Sequence, residues 1–169
     1  PRSFIFNIEC QNYQTIDPYI DYVSEYLKLF LDGPSHKYHI ITRIGIRKLG
    51  GDVFESIKHL TDTFENHLFP NTIKELEDST IIEKQYIDKF YDRVKVNYAR
   101  MCRITNDIPY KFQAILDLDG YVDRSIIGAE RISSDKAKQY MEQINSYLYD
   151  LFLISVTTSY LQSQCQETK

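Results

Sequence analysis

"QAILDLDGYVDRS", residues 113–125, decides how the rest of the chain is read. With Phe112 before it, Ala114, Leu116 and Leu118 recur at every second position, the period of a strand with one buried face. On that reading Asp117 and Asp119 look outward and Gly120 breaks the strand. On the other reading the strand ends at Asp117, and Asp-x-Asp-Gly opens a catalytic loop. The preceding segment favours the strand. "VKVNYARMCRIT" (94–105) alternates through Val94, Val96, Tyr98 and Cys102, and "NDIP" turns the chain. Two alternating runs joined by a short turn predict an antiparallel hairpin.

Towards the N-terminus, "KYHIITRIGIRKLGG" (37–51) predicts a further strand, with Ile40, Ile44 and Ile46 on one side and His39, Arg43 and Arg47 on the other. Gly50-Gly51 is expected to end it as a strand-to-helix connection. Asp52 then heads a helix, with Glu55 completing a capping box and Phe54, Ile57, Leu60, Phe64 and Leu68 as its core face. "SFIFNIEC" (3–10) reads as a strand. Asp17 and Pro18 open a helix that Gly33 and Pro34 stop. Residues 81–93 stay open between helix and strand: Ile82, Tyr86, Phe90 and Val94 keep helical spacing, yet these residue types favour strands. Ser133 or Ser134 caps a long C-terminal helix through Ala137, Tyr140, Met141, Ile144, Leu148, Leu151 and Phe152, and "SVTTSYLQSQ" adds a last turn or short helix. Strands and helices do not alternate regularly. The order predicts one α+β domain over 1–169, with a mostly antiparallel sheet and helices packed on one face. Pro1 in place of Met predicts that an N-terminal segment of a longer protein precedes it.

Composition narrows the function classes. The 169 residues are 43% hydrophobic and 26% charged, ordinary for a globular domain. A formal net charge of −4 argues against a general nucleic-acid binder. No apolar run reaches membrane-spanning length and no secretory signal is present, so a cytoplasmic, membrane-free protein is expected. Cys10, Cys102 and Cys165 are far apart and fit plain thiols in a reducing compartment. The chain has 14 Tyr and 9 Phe but no Trp. That content fits semi-exposed faces and interfaces, or a composition drawn toward Tyr, Ile, Lys and Asn.

The catalytic reading of Asp117 and Asp119 is that of the haloacid-dehalogenase-type phosphohydrolases. There the first Asp attacks phosphorus, the second acts as acid and base, and magnesium neutralises the phosphate. Tyr121 stands where Thr or Val is usual, and Asp123 comes one residue early. The 46 residues after Asp123 hold no acidic pair for the metal. A calcium loop fails as well, with Val122 and Gly128 where Gly and Glu are needed. His36, His39, His59 and His67 match no zinc spacing, and the chain lacks the usual nucleotide and hydrolase motifs, so neither a metal nor a cofactor is expected. Arg43 and Arg47 share a strand face about 13 Å apart. With Arg100 they could receive a carboxylate or phosphate partner; the plainer expectation is pairing with Asp and Glu of the same sheet.

Two stretches together resemble a sporadically distributed bacterial protein family of unknown function. "ITRIGIRKLGG" is similar to its R-[IL]-G-[LI]-R-Y-[IV]-N-R-I segment, departing at "RKLGG". "AILDLDGYVD", followed by a helix and "LFLISVTTSYL", is similar to its C-terminal pattern. The resemblance implies that DLDG is a structural feature, and its sporadic distribution points to mobile or defence-linked genes. It implies no activity. The function expected is therefore a non-catalytic binding or regulatory module, with the magnesium phosphohydrolase as the alternative.

The helix from Asp17 supplies the candidate contact surface. Ile20, Val23, Leu27 and Phe30 form one apolar stripe, and Tyr19, Tyr22, Tyr26 and Leu29 form a second beside it. One stripe is enough to cover a sheet. The second predicts a protein partner or a homodimer, unless an N-terminal segment or residues 81–93 cover it.

Overall fold

The computed structural model describes residues 5–6, 15–33, 40–65, 82–91, 94–104, 112–128 and 131–167. The fold is α+β. A four-stranded sheet holds β1 (Arg43–Phe54), β2 (Ile82–Tyr91), β3 (Val94–Ile104) and β4 (Phe112–Asp123) in the order β1-β4-β3-β2. All three pairings are antiparallel. Around it stand α1 (Asp17–Leu31), α2 (Ile57–Thr63), α3 (Arg124–Ile127), α4 (Ser134–Leu153) and α5 (Thr158–Glu167). The predicted strand over 3–10 lies mostly outside the described residues; Ile5 and Phe6 are not in a strand. Residues 82–91, open between helix and strand in the sequence, are β2.

β4 is central, flanked by β1 and β3, and the alternation read from its sequence is its burial pattern. Ala114, Leu116, Leu118 and Val122 are buried, and Gln113, Ile115, Asp117, Asp119 and Tyr121 are partly exposed. Val94 and Val96 of β3 join the buried face. The twenty-residue α4 crosses this face with Ala137, Ile144, Leu148 and Leu151 turned inward. Its spacing of three and four residues makes that stripe, and Ser133 caps it by accepting from the Lys136 N–H at 3.2 Å.

Three glycines depart from their expected roles. Gly120 does not break β4; the strand runs on to Asp123 because both neighbours keep its backbone paired. A Cβ at Gly120 would stand 2.8 Å from Ile144 Cγ2 and 3.1 Å from Leu148 Cδ2, so the residue lets α4 lie close on the sheet. Likewise Gly50-Gly51 does not end β1. Opposite Leu116 and Ile115 the ladder continues to Phe54. The helix predicted from Asp52 therefore begins only at Ile57, where the Ser56 hydroxyl accepts from the His59 N–H at 3.1 Å. The ring of His59 meets Phe54 edge-on at 5.1 Å.

The C-terminal end is clasped to α2. Phe64 and Val156 form a bridge, Thr157 N–H donates to the Thr63 carbonyl at 2.9 Å and Glu65 N–H to that of Ser155 at 3.1 Å. The Thr157 hydroxyl also donates to the Asp62 carbonyl. Among the described residues, no helix is long and apolar enough to cross a membrane.

Candidate functional site

The sheet face turned away from α4 holds the charged residues singled out in the sequence. Register places Arg43 opposite Asp123, Gly45 opposite Tyr121 and Arg47 opposite Asp119. The arginines reach diagonally instead. Arg47 forks onto Asp117, Nε to Oδ1 at 2.7 Å and Nη2 to Oδ2 at 2.5 Å. Arg43 lies along the strands, its guanidinium carbon 4.0 Å above the Tyr121 ring, and donates to Asp119 Oδ2 at 2.7 Å. Gly45 leaves that path free: a Cβ there would stand 3.1 Å from Tyr121 Cβ and 3.6 Å from Arg43 Nε. Lys95 Nζ approaches the same ring at 5.6 Å.

This geometry bears on both readings of the face. Asp117 and Asp119 sit in the middle of a strand paired on both sides, and each carboxylate is engaged by an arginine. A nucleophile loop needs the chain to leave the sheet at the first Asp, so that metal and phosphate can converge on it. No group of three metal-ligating side chains occurs among the described residues. Asp123 is engaged elsewhere. It caps α3, accepting from the N–H and hydroxyl of Ser125 at 2.9 and 2.5 Å. Those bonds, the hydroxyl first, hold its carboxyl below the usual range. Arg43 and Arg47 are together on one face; Arg100 stands opposite Leu116 in the register of β3 and β4. The antiparallel hairpin of β3 and β4 read from the sequence is formed; its register, and the place of β1 on the other side of β4, are not legible there. His36, His39, His67 and Cys10 lie outside the described residues.

α1 presents the second candidate. Its inner stripe packs toward α4, with Ile20 and Leu31 buried and Leu27 and Phe30 against the core. On the outer stripe Tyr22, Tyr26 and Leu29 are 54%, 48% and 78% exposed, while Tyr19 is half-buried. The Tyr22 and Tyr26 hydroxyls are hydrogen-bonded at 3.0 Å, with rings edge-on at 4.9 Å. Phe6 comes to 6.0 Å from the Tyr26 ring and Ile5 beside it is exposed, so the patch widens beyond the helix.

Polar ties hold α1 with that stripe outward. Thr15 and Asp17 bond each other at the start; Ile16 rather than Asp17 stands at the cap position, and the first helical residue is Asp17 rather than Pro18. At the other end Asp32 accepts from the Ser134 hydroxyl at 2.6 Å, and Arg131 donates to the Leu31 carbonyl at 2.6 Å. The Ser134 hydroxyl is the main reason the Asp32 carboxyl lies below its ordinary value. Lys138 pairs with Asp21 at 2.6 Å. The cleft between these helices is lined by Asp21, Ser24, Glu25, Lys28, Ser134, Asp135 and Lys138.

No known family model matches this chain, and no curated protein and no solved structure was found similar to it.

Proposed function

We propose that this chain is a non-catalytic protein-binding or regulatory module of the bacterial cytoplasm, and that it binds through the outer face of α1. One observation carries the reading: Tyr22, Tyr26 and Leu29 stand side by side in solvent on a helix whose opposite face is already packed. Single exposed apolar residues are common, but a contiguous group marks a contact surface. Tyr supports the reading further, because its ring offers contact area and its hydroxyl stays satisfied before and after binding.

The test places a photo-crosslinking residue at Leu29 and, as a control, at exposed Ser163, in cells making the protein. A discrete protein adduct at Leu29, missing at Ser163 and lost in Tyr22→Glu/Tyr26→Glu, is the expected result. No adduct at Leu29 refutes the module. The phosphohydrolase alternative is tested separately by magnesium-dependent turnover of a generic phosphate ester. Turnover that Asp117→Asn abolishes would replace this reading with that one.

A further inference from the structure

We infer that the outer edge of β1 pairs with the β1 of a second copy of this chain, antiparallel about a two-fold axis at Gly50, so that two sheets join into one. Among the described residues β1 is bonded to β4 alone and forms an edge of the sheet. Its backbone directions follow from β4. A Cβ at Gly51 would stand 3.0 Å from the Ala114 carbonyl oxygen, and one at Gly45 3.1 Å from that of Gly120. Those carbonyls therefore turn toward β1, where Asp52 and Ile46 stand opposite them. Alternation then points the N–H and C=O of Arg47, Leu49, Gly51 and Val53 away from β4. The Val53 N–H agrees, since it donates to the Asp52 carboxylate at 2.7 Å. Residues 49–53 are exposed, and among the described residues nothing lies within 4 Å of a Cβ placed on Gly50. Edge backbone of this kind is a template for another strand.

Charge selects which strand can pair there. Lys48 and Asp52 lie on the inner side of β1, in register with Leu118 and Ala114 of the buried face. A strand added at the edge flanks both, so it must bring a carboxylate opposite Lys48 and a cation opposite Asp52. Burial already pushes the Lys48 ammonium below its ordinary value, and Asp17 only partly restores it. β1 itself supplies both charges. With Gly50 facing Gly50 across the axis, Lys48 of each copy stands opposite Asp52 of the other. That is a non-hydrogen-bonded position, where opposed side chains are closest. Sliding one strand by two residues sets Lys48 against Gly50 or Phe54. Sliding it by four sets Lys48 against Lys48 or Asp52 against Asp52. The outer side accepts the same register: Leu49, 67% exposed, comes opposite the second copy's Gly51, whose missing side chain leaves it room beside Ile115. Asp52 gives up the Val53 N–H for Lys48, and that N–H passes to the second copy's Arg47 carbonyl. Both sides of the contact are the same segment, as a two-fold interface requires. The paired stretch, 46–54, is about 30 Å long and one strand wide, so the dimer is weak and reversible.

Sedimentation equilibrium from about 1 µM to several hundred µM covers the range for such a contact. The mass should rise with concentration from 20.0 kDa toward twice that value. Over the same range, hydrogen exchange at the Leu49, Gly51 and Val53 amides should slow. Lys48→Glu and Asp52→Lys each put like charges together at two places in the contact, and each should weaken dimerisation by about tenfold or more. Mixed, the two variants should associate with each other, and Lys48→Glu/Asp52→Lys in one chain should dimerise again. Asp52 is exposed, so Asp52→Lys should keep the wild-type circular dichroism, and it carries the test if Lys48→Glu unfolds. Tyr22→Glu/Tyr26→Glu should leave the association unchanged, which separates this contact from the α1 face. A wild-type chain that stays at 20.0 kDa overturns the inference. So does a dimer that Asp52→Lys leaves intact, or one in which the Leu49, Gly51 and Val53 amides exchange as fast as in the monomer. A dimer lost in Tyr22→Glu/Tyr26→Glu also overturns it and assigns the contact to α1.

Discussion

The open face of the sheet and the outer face of α1 both look into solvent, and they meet it in opposite ways. On the sheet Arg47 is spent on Asp117, and Arg43 on Asp119 and the Tyr121 ring. Polar groups answer one another there across strands, and little is left for a visitor. On α1, among the described residues, the Tyr22 and Tyr26 hydroxyls answer each other, and both rings and Leu29 remain about half exposed or more. The residues that first attract notice, two aspartates and two arginines, are thus the ones whose chemistry is already used. A charged motif needs its partners known before it can count as a site; an apolar stripe needs its cover known.

The contrast breaks most forcefully at Gly120. β4 turns its charged side outward because its other side is flat where α4 crosses, and a Cβ at Gly120 would press on Ile144 and Leu148. Gly120→Val is expected to cost about 1–3 kcal/mol, the usual penalty of overpacking a close-packed core. Urea unfolding should show a lower midpoint with the same slope. A change below about 0.5 kcal/mol, typical of surface sites, would mean that α4 does not bear on Gly120.

Gly120 also shows what sequence conveys here and what it does not. Ala114, Leu116, Leu118 and Val122 announce the strand and its buried side, because alternation is a property of one chain segment. The continuation past Gly50, Gly51 and Gly120 depends on strands arriving from elsewhere, which hold the backbone whatever the local preference. Arg43 and Arg47 are legible as sharing a face, but their diagonal choice of Asp119 and Asp117 needs the register. The outer stripe of α1 is legible at Tyr22, Tyr26 and Leu29, since helical spacing defines it, while Tyr19, read as part of it, is half-buried.

A smaller effect, confined to acid, should appear at Asp32. The Ser134 hydroxyl, helped by Lys28 and Arg131, holds its carboxyl below the ordinary value of 3.8. A depressed folded-state pKa contributes stability that is fully present above the unfolded value and lost as pH falls through the folded one. Asp32→Asn should therefore be less stable than wild type above about pH 4, and the gap should close as the pH drops below 3.8. Thermal unfolding at several pH values reads this directly. A gap that is constant with pH would mean the carboxylate charge is not what ties α1 to α4.

The smallest effect is on the open sheet face, and its smallness is itself the prediction. Arg47 and Asp117 form a forked pair, the strongest geometry for such a contact. Yet the arginine side chain is 62% exposed and the aspartate 20%, so water and salt screen much of the attraction. A double-mutant cycle with Arg47→Ala and Asp117→Ala should give a coupling of about 0.2–1 kcal/mol. The coupling should shrink as salt is raised. A coupling well above 1 kcal/mol would mean that the pair is desolvated in the working protein. The open sheet face would then be covered by something, and the distinction between the two surfaces would reverse.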